Sequence, residues 1–485
     1  MTADETGLNR DIDPQSLDMQ PADFRRYGRD AVAWIADYLE NPRQHQVAAR
    51  CGPGELQRLL PAAGPPEGEA MDAILADFER LILPRVSHWN HPHFHAYFSI
   101  SSSGPGILGE LLTAALDVNA MLWRSCPAAT ELEQVAVAWV LDWLGLPASW
   151  FGMILDSASN GVLQAIVAAR QRAEPQSRAI GPSGRLTVYI TEHTHSSVEK
   201  AAIAAGIGQS NVRRIAVDSG FRMDPECLAQ TVRDDLAEGY RPFFAVATVG
   251  TTSSTAIDPV NEIAAVCRAR DLWLHVDGAY GGSFGLVPEC RHFLNGVELA
   301  DSFAVNPHKR MMVPLDCSLL YTAHPAVMRS AFSLEAEYLK TDVENAVDFM
   351  DYGLALGRRF RALKLWFVLR YFGRSGFVTA LRESLSLAAW LGDKLAADAR
   401  FEPVGSPAMG LVCFRLRQGD AATNELMRRL NSSGRFFVSH TVLNGRFTIR
   451  VAIGNIRTRQ RDVEQLWDSI VEACAVSTRS THNVS

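Results

Sequence analysis

Apolar residues recur with the period of an α-helix in the first part of the chain. Between about 20 and 40 they fall on one helical face: Phe24, Tyr27, Ala31, Trp34, Ile35 and Tyr38. A second helical stretch runs from Met71 to Leu83 and stops at Pro84. Because this front section is too small to bury its apolar faces alone, we expect it to pack on another domain or another subunit.

From about 90 to 330 the pattern changes to short runs that are apolar on both faces and bounded by turn residues. The runs are LTVYIT (186–191), FFAVATV (243–249), LWLHVD (272–277), SFAVN (302–306) and CSLLYT (317–322). Strands buried on both sides and alternating with helices are typical of a parallel, doubly wound α/β sheet. In such sheets, ligands bind at the carboxyl ends of the strands.

The last section begins with a helical stretch from Gly376 to Ala397. Three strand-like runs follow, at 409–416, 436–443 and 446–454, and then a helix from Arg461 to Cys474. This is the profile of a small α+β domain. We therefore predict an N-terminal helical segment over 1–90, a ligand-binding large domain over 91–375 and a small domain over 376–485.

Composition narrows the functional classes. Of the 485 residues, 47% are hydrophobic and 21% are charged, as expected for a globular protein with a large core. The net charge of 47 − 54 = −7 gives no general attraction to nucleic acid or to anionic membranes, so neither is expected as a partner. The eight scattered cysteines lack metal-ligand spacing, and the polar N-terminus lacks the features of a secretory signal. We expect a cytoplasmic protein without a metal site.

Two residues at predicted strand ends carry the strongest chemical signal. Asp277 ends a buried strand, where a carboxylate is costly unless a partner needs its charge, and a protonated pyridine nitrogen is such a partner. Lys309 follows the next predicted strand and could link to an aldehyde cofactor if desolvation lowers its pKa. Taken singly, a helix cap and a surface lysine would be the better interpretations. In this order and spacing, the two residues favour a cofactor site.

Three further strand ends carry residues suited to the same site. The run DSASNG (156–161) places small hydroxylic residues before a helix, which suits a phosphate but is also consistent with a plain N-cap. GTTSST (250–255) is a similar hydroxyl-rich turn, which loop chemistry alone could explain. His195, in THSS, could stack on a flat cofactor or be a satisfied structural histidine.

The order of these motifs is similar to that of the group II pyridoxal-phosphate (PLP) decarboxylases. The matching segments are SASNG, THSSVEKA, ATVGTTSS, LHVDGAYGG and NPHKRMMVPLDCS, with HPHFHAYF, PAATELE and LGRRFRALKLWFVLR in support. The resemblance covers about residues 20 to 470 and is strongest to the aromatic-L-amino-acid decarboxylase branch. It implies a fold type I enzyme, with a PLP-binding large domain and a mainly parallel sheet.

The resemblance also implies a role for individual residues. It makes Lys309, Tyr338, His195 and Asp277 catalytic, with Lys309 carrying PLP as a Schiff base. The residues implied in cofactor binding are Ser157, Ala158, Ser159, His195, Thr252, Asp277, Ala279, Asn306, His308 and Lys309. Those implied in substrate binding are Trp89, Tyr97, Phe98, Ser99, Met121, Leu122 and Gly357.

The expected reaction is decarboxylation of an aromatic L-amino acid (tryptophan, phenylalanine, tyrosine or dihydroxyphenylalanine type) to its amine. The resemblance implies that Tyr338 is the tyrosine of a catalytic loop. Relatives that make aldehydes oxidatively carry phenylalanine at this position instead. An aldehyde synthase, a histidine decarboxylase, an aminotransferase of the same fold and an inactive binding protein are the alternatives. Gly357 matches a position at which histidine-preferring and some tyrosine-preferring relatives carry serine. A glycine leaves room for a large substrate ring, although it could instead serve only the backbone conformation.

Two departures from the family pattern lie in and after the catalytic loop. The loop at 341–353 is shorter than usual, and Met350 falls where an arginine is common. The resemblance also implies a homodimer with its active site at the subunit interface, to which the neighbouring subunit contributes Met121 and Leu122.

Overall fold

The computed structural model describes residues 18–98, 100–334, 343, 346–405 and 407–480, with side chains up to 474. It divides into two compact units, one ending at His91 and the other beginning at Pro92. The predicted boundary near residue 90 lies close to this division. In the part of the chain that is described, no helix is long and apolar enough to cross a membrane.

Among its described residues, the first unit contains three α-helices. They are α1 (Pro21–Glu40), α2 (Glu55–Leu59) and α3 (Met71–Asp77). The predicted helix near 20–40 is confirmed as α1, which starts at a proline whose missing N–H is not needed there. The ring of Trp34 packs edge-on against Phe78 at 5.2 Å, so the apolar face of α1 is partly covered within this unit.

The second unit contains two sheets and twelve α-helices among its described residues. The strands are β1 (Phe94–His95), β2 (Phe151–Leu155), β3 (Leu186–Thr191), β4 (Val212–Ile215), β5 (Arg241–Thr248), β6 (Trp273–Asp277), β7 (Ser302–Val305), β8 (Ser318–Thr322), β9 (Phe401–Pro403), β10 (Leu411–Leu416), β11 (Phe437–Leu443) and β12 (Arg446–Ala452). The helices are α4 (Gly104–Leu116), α5 (Pro127–Leu144), α6 (Ala158–Ala173), α7 (Ser177–Ile180), α8 (Ser197–Ala204), α9 (Pro225–Ala237), α10 (Val260–Ala269), α11 (Pro307–Arg310), α12 (Pro325–Phe332), α13 (Arg361–Ala397), α14 (Asp420–Ser432) and α15 (Gln460–Ser480).

The larger sheet has seven strands in the order β2-β8-β7-β6-β5-β3-β4. Strands β7, β6, β5, β3 and β4 pair in parallel, as predicted. Strand β8 is the exception: it pairs antiparallel with both β2 and β7. Because β2 therefore runs in the same direction as β7, the carboxyl ends of six strands meet at one edge of the sheet.

Both faces of this sheet are buried, which explains why its strands are apolar throughout. Along β5, Ala245 and Ala247 belong to one core cluster, whereas Phe244 and Val246 belong to the cluster on the opposite face. Side chains alternate across a strand, so a strand covered on both sides needs apolar residues at every position. The α/β prediction is confirmed.

The smaller sheet has the order β1-β11-β12-β10-β9. Strands β9 to β12 pair antiparallel, and the two-residue strand β1 joins β11 in parallel. Helix α13 begins at Arg361, earlier than the predicted Gly376, and it breaks at Gly373, where φ is +59°. The predicted boundary at 375 lies just after this break, inside a single compact unit, and the three-domain division stays a prediction.

Candidate active site

One cavity of about 220 Å3 lies at the carboxyl edge of the larger sheet. All ten predicted cofactor residues line it: Ser157, Ala158, Ser159, His195, Thr252, Asp277, Ala279, Asn306, His308 and Lys309. The segments that follow β2, β3, β5, β6 and β7 each contribute at least one of them. The cavity therefore lies where a mainly parallel sheet is expected to bind a ligand.

Lys309 lies in the short helix α11, directly after β7. The surrounding protein lowers the pKa of Lys309, while the nearby carboxylate of Asp277 raises it. Its Nζ atom is 5.7 Å from the ring centroid of Phe98, another residue that lines the cavity. Because a lowered pKa increases the fraction of neutral amine, Lys309 is suited to nucleophilic attack on an aldehyde.

Asp277 ends β6. It is the only acidic residue among the described residues that line the cavity. Its Oδ1 atom accepts a hydrogen bond from the backbone N–H of Ala279 at 3.0 Å. The intervening Gly278 has no room for a side chain, since a Cβ atom there would lie 2.4 Å from the ring of Phe303. These small residues fix the carboxylate at the strand end and keep the backbone close to the cavity.

His195 is held by the start of helix α8. Its Nδ1 atom accepts a hydrogen bond from the backbone N–H of Ser197 at 3.2 Å and lies 2.7 Å from the Ser197 hydroxyl. An accepting Nδ1 leaves the proton of the neutral ring on Nε2. Burial lowers the pKa of His195, and Asp277 raises it, so the ring favours its neutral form.

Helix α6 starts at the cavity with Ser157 as its N-cap. The Ser157 hydroxyl accepts from the backbone N–H of Asn160 at 3.2 Å and donates to Asp156 at 3.0 Å. Ala158 and Ser159 form the first turn. Helix α6 has 16 residues and begins with small side chains. Its start suits an anionic group, because the first N–H groups of a helix have no partner within the helix.

His308 and Asn306 are tied to the neighbouring strand β8. The Nδ1 atom of His308 accepts from the backbone N–H of Cys317 at 2.9 Å. Burial lowers the pKa of His308 to about 4. Asn306 Oδ1 accepts from the hydroxyl of Ser318 at 2.6 Å. The start of the antiparallel strand β8 and the residue that precedes it thus fix both side chains.

The cavity fits an aldehyde cofactor with a cationic ring and a phosphate. The amine of Lys309, with its lowered pKa, matches the aldehyde. The carboxylate of Asp277 matches the cationic ring, and the start of helix α6 matches the phosphate. Thr248 also lines it, and the buried Thr248 Oγ1 has no hydrogen-bond partner among the described residues. A polar ligand would satisfy this hydroxyl, whereas an apolar one would not.

Sequence reasoning missed one aromatic residue of the cavity wall and one basic residue that contacts this wall from outside the cavity. Phe98, predicted as a substrate residue, stacks on Tyr280 with ring centroids 3.5 Å apart, and Tyr280 was not singled out. Behind this pair, the buried guanidinium of Arg450 lies 5.3 Å from the Phe98 ring. The segment AYGG, next to the predicted Asp277, was the only available signal for Tyr280. Arg450 lies in a strand about 170 residues away and gave none.

Tyr97, Met121 and Leu122 are not among the described residues that line this cavity. Tyr97 is 53% exposed and has a positive φ of 53°. Met121 and Leu122 lie in the loop after α4, where the Met121 carbonyl accepts from the backbone N–H of Met350 at 3.1 Å. Trp89 belongs to the first unit and is 37% exposed.

Gly357 lies in a second cavity of about 280 Å3, with Arg358 and Arg361 among its lining residues. This cavity and the one that contains Lys309 share no residue. Two other predicted residues, Ser99 and the proposed proton donor Tyr338, lie outside the described residues. Within one chain, the cofactor residues are therefore brought together and the substrate residues are divided.

A mainly parallel sheet whose edge holds such a lysine and aspartate in one cavity defines a fold type I PLP-dependent enzyme. The sequence model of the family described as the pyridoxal-dependent decarboxylase conserved domain matches residues 53–417. Tryptophan decarboxylase 2 from Oryza sativa subsp. japonica is 38% identical, covering 93% of this chain and 94% of its own. The chain therefore belongs to the pyridoxal-dependent decarboxylase family.

Two further relatives show how the similarity is spread within this family. Phenylacetaldehyde synthase from Arabidopsis thaliana is 38% identical, covering 96% of this chain and 98% of its own. The crystal structure of Catharanthus roseus tryptophan decarboxylase in complex with L-tryptophan matches with a TM-score of 0.90 at 35% identity. That match covers 94% of this chain and 99% of the other. The predicted resemblance is confirmed.

Proposed function

We propose that this protein decarboxylates an aromatic L-amino acid to the corresponding aryl-alkyl amine and CO2, with PLP as its cofactor. The observation that carries the proposal is the single cavity that joins Lys309 and Asp277 to an aromatic wall. That wall is the stacked pair of Phe98 and Tyr280. Relatives named for tryptophan and aromatic-L-amino-acid decarboxylation support the substrate class.

Each cofactor residue has a distinct task in this proposal. Lys309 would hold the cofactor through its amine, joined to the aldehyde carbon with loss of water, and the carboxylate of Asp277 would pair with the protonated ring nitrogen. Ser157, Ala158 and Ser159 would hold the phosphate at the start of α6. When bound, PLP supplies the electron-withdrawing system that accepts the electron pair left by the departing carboxylate.

The protein must also orient the substrate and return a proton to its Cα atom. The cavity wall of Phe98 and Tyr280 packs against a planar side chain and excludes water from that face. We assign the proton donation to Tyr338, with neutral His195 assisting through the proton on its Nε2 atom. The substrate loses CO2 and gains one proton at Cα, so the product is the amine.

An aldehyde synthase is the second candidate, because a relative named phenylacetaldehyde synthase is as similar as the decarboxylases. Such an enzyme couples decarboxylation to oxidative deamination. Tyr338 argues against an aldehyde synthase, because similar enzymes that make aldehydes carry phenylalanine at this position. Histidine decarboxylation is disfavoured by Gly357, which leaves room for a larger ring.

We further propose a cytoplasmic homodimer whose active site lies at the subunit interface. Gly357 and Lys309 line separate cavities in one chain, so a second copy is needed if both contact one substrate. Helix α4 supports an interface, because four of its leucines are 47–57% exposed: Leu108, Leu111, Leu112 and Leu116. The eight cysteines are free thiols, which suits a reducing compartment.

Borohydride reduction of the PLP-loaded enzyme tests the cofactor link. Reduction should fix the cofactor covalently, and mass spectrometry should find it on the peptide that contains Lys309. Lys309→Ala should lose both the label and CO2 release from tryptophan. Lys394→Ala, which removes an exposed lysine in α13, is the matched control and should keep both. A label on another lysine, or full CO2 release by Lys309→Ala, would contradict the assignment.

A further inference from the structure

Ser197 is a residue of the cofactor cavity that none of the sequence motifs singled out. It is the first residue of α8, is 9% exposed and lines the same cavity as Lys309 and His195. The hydrogen bonds of the His195 side chain within the described residues are both made with Ser197, and both are made by Nδ1. Two groups of one residue therefore hold one edge of the imidazole ring.

The backbone N–H of Ser197 fixes the direction of both hydrogen bonds. An amide N–H can only donate, and it reaches Nδ1 of His195 at 3.2 Å, so Nδ1 carries a lone pair and no proton. The Ser197 hydroxyl lies 2.7 Å from the same Nδ1 atom and must therefore donate as well. Because the hydroxyl contact is the shorter of the two, it is the stronger restraint on the ring.

The charges around His195 favour the neutral ring. Burial lowers the pKa of His195, and the carboxylate of Asp277 raises it. The cations of Lys309 and Lys200 lower the same pKa. The start of α8 adds a partial positive charge beside Nδ1, because the Ser197 N–H is among the first amides of that helix. A neutral ring whose Nδ1 accepts carries its one proton on Nε2.

The turn between β3 and α8 keeps the two residues in this arrangement. The carbonyl of His195 accepts from the backbone N–H of Val198 at 3.0 Å. The side chain of His195 also acts as a cap, since it accepts from the Ser197 N–H, whereas the N-cap residue Ser196 makes no side-chain bond of this kind. Of the two neighbouring serines, only Ser197 therefore acts on the ring.

We propose that Ser197 is a positioning residue, which holds His195 as the tautomer protonated on Nε2 and fixes the plane of its ring. The hydroxyl acts through His195 and needs no contact with the substrate. The use of the Nε2 proton rests on the proposed function: Nε2–H supports the return of a proton to Cα by donating a hydrogen bond, and the ring itself neither gains nor loses a proton. The placement of that proton does not depend on the proposed function.

A double-mutant cycle on the PLP-loaded enzyme tests whether Ser197 acts through His195. Ser197→Ala should lower kcat for tryptophan roughly three- to tenfold, the factor expected for one hydrogen bond, and change KM by less than about twofold. Ser197→Thr keeps the hydroxyl and should restore kcat. In a His195→Gln background, Ser197→Ala should not alter single-turnover CO2 release any further. Ser196→Ala removes the neighbouring hydroxyl and should keep the wild-type kcat.

Neutron diffraction from a crystal of the PLP-loaded wild-type enzyme in D2O locates the protons without any turnover. Deuterium on Nε2 of His195, with the Ser197 hydroxyl deuterium directed at Nδ1, would support the proposal. Deuterium on Nδ1, or a Ser197 hydroxyl directed at the cofactor instead, would overturn it. An unchanged kcat in Ser197→Ala, or a further loss from Ser197→Ala in the His195→Gln background, would overturn it as well. If the wild-type enzyme released no CO2, the proposed function would fail, and the neutron structure would still decide where the proton lies.

Discussion

Glu133 and Arg358 form a buried ion pair beside the strand that leads into the cofactor cavity. Glu133 Oε1 accepts from Arg358 Nη2 at 2.6 Å and from the backbone N–H of Ile154 at 2.8 Å. Arg358 Nη2 also donates to the carbonyl of Ile154 at 2.8 Å. The two side chains are only 2% and 7% exposed. The pair therefore ties the segment that contains Gly357 to strand β2.

Glu133→Ala would leave the Arg358 charge and the Ile154 N–H without this acceptor. Removing one partner of a buried ion pair costs about 3–5 kcal/mol, because the other charge stays buried. We therefore expect the free energy of unfolding to fall by about 3–5 kcal/mol. Glu133→Gln keeps an oxygen acceptor at the same place and should lose less.

Urea unfolding of the PLP-loaded enzyme, followed by tryptophan fluorescence, measures this loss. The matched control is Glu425→Ala, which removes a helical glutamate that pairs with Arg429 in solvent. An exposed pair contributes little, so the control should unfold almost as the wild type does. If Glu133→Ala were no less stable than Glu425→Ala, the argument from burial would be refuted.

Three further predictions each concern a single residue. Tyr338→Phe should convert amine formation into aldehyde, ammonia and peroxide under air, read by peroxide assay; unchanged amine yield would reject the proton-donor role. Gly357→Ser should lower turnover of tryptophan relative to tyrosine with unchanged Tm, because a Cβ there meets only Asn119, at 3.9 Å; an unchanged ratio would reject the specificity role. Burial lowers the pKa of His275 from 6.5 to about 4, so the unfolded chain gains a proton first and the unfolding free energy should fall as the pH drops from 6.5 to 4. His275→Gln should reduce that slope in urea titrations, and an equal slope would contradict the assignment.

The cofactor half of the site could be predicted because its residues follow strand ends. Asp277 and Lys309 each come directly after an apolar run, and parallel strands bring such positions to one edge. The place of each residue relative to its own strand was therefore enough to predict that the two residues lie close together. The antiparallel direction of β8 could not be read in this way, because a strand buried on both faces is apolar whichever way it runs.

The rest of the site depends on contacts between distant segments. Arg450 reaches Phe98 only because β12 and the segment after β1 lie close in the fold, and no local pattern records this. Gly357 is separated from Lys309 because its cavity is lined by residues of β2, and this proximity also joins distant segments of the chain. The stacking of Tyr280 on Phe98 joins residues that are far apart in the chain, and no local pattern records it.

The most direct test of the central claim is a product assay on the purified, PLP-loaded protein. Each of the twenty amino acids, dihydroxyphenylalanine and 5-hydroxytryptophan is incubated separately, and CO2, amine and peroxide are measured together. The account predicts equal amounts of CO2 and amine from aromatic substrates, without peroxide. Peroxide equal to CO2 would identify an aldehyde synthase, and no CO2 from any substrate would contradict decarboxylation altogether.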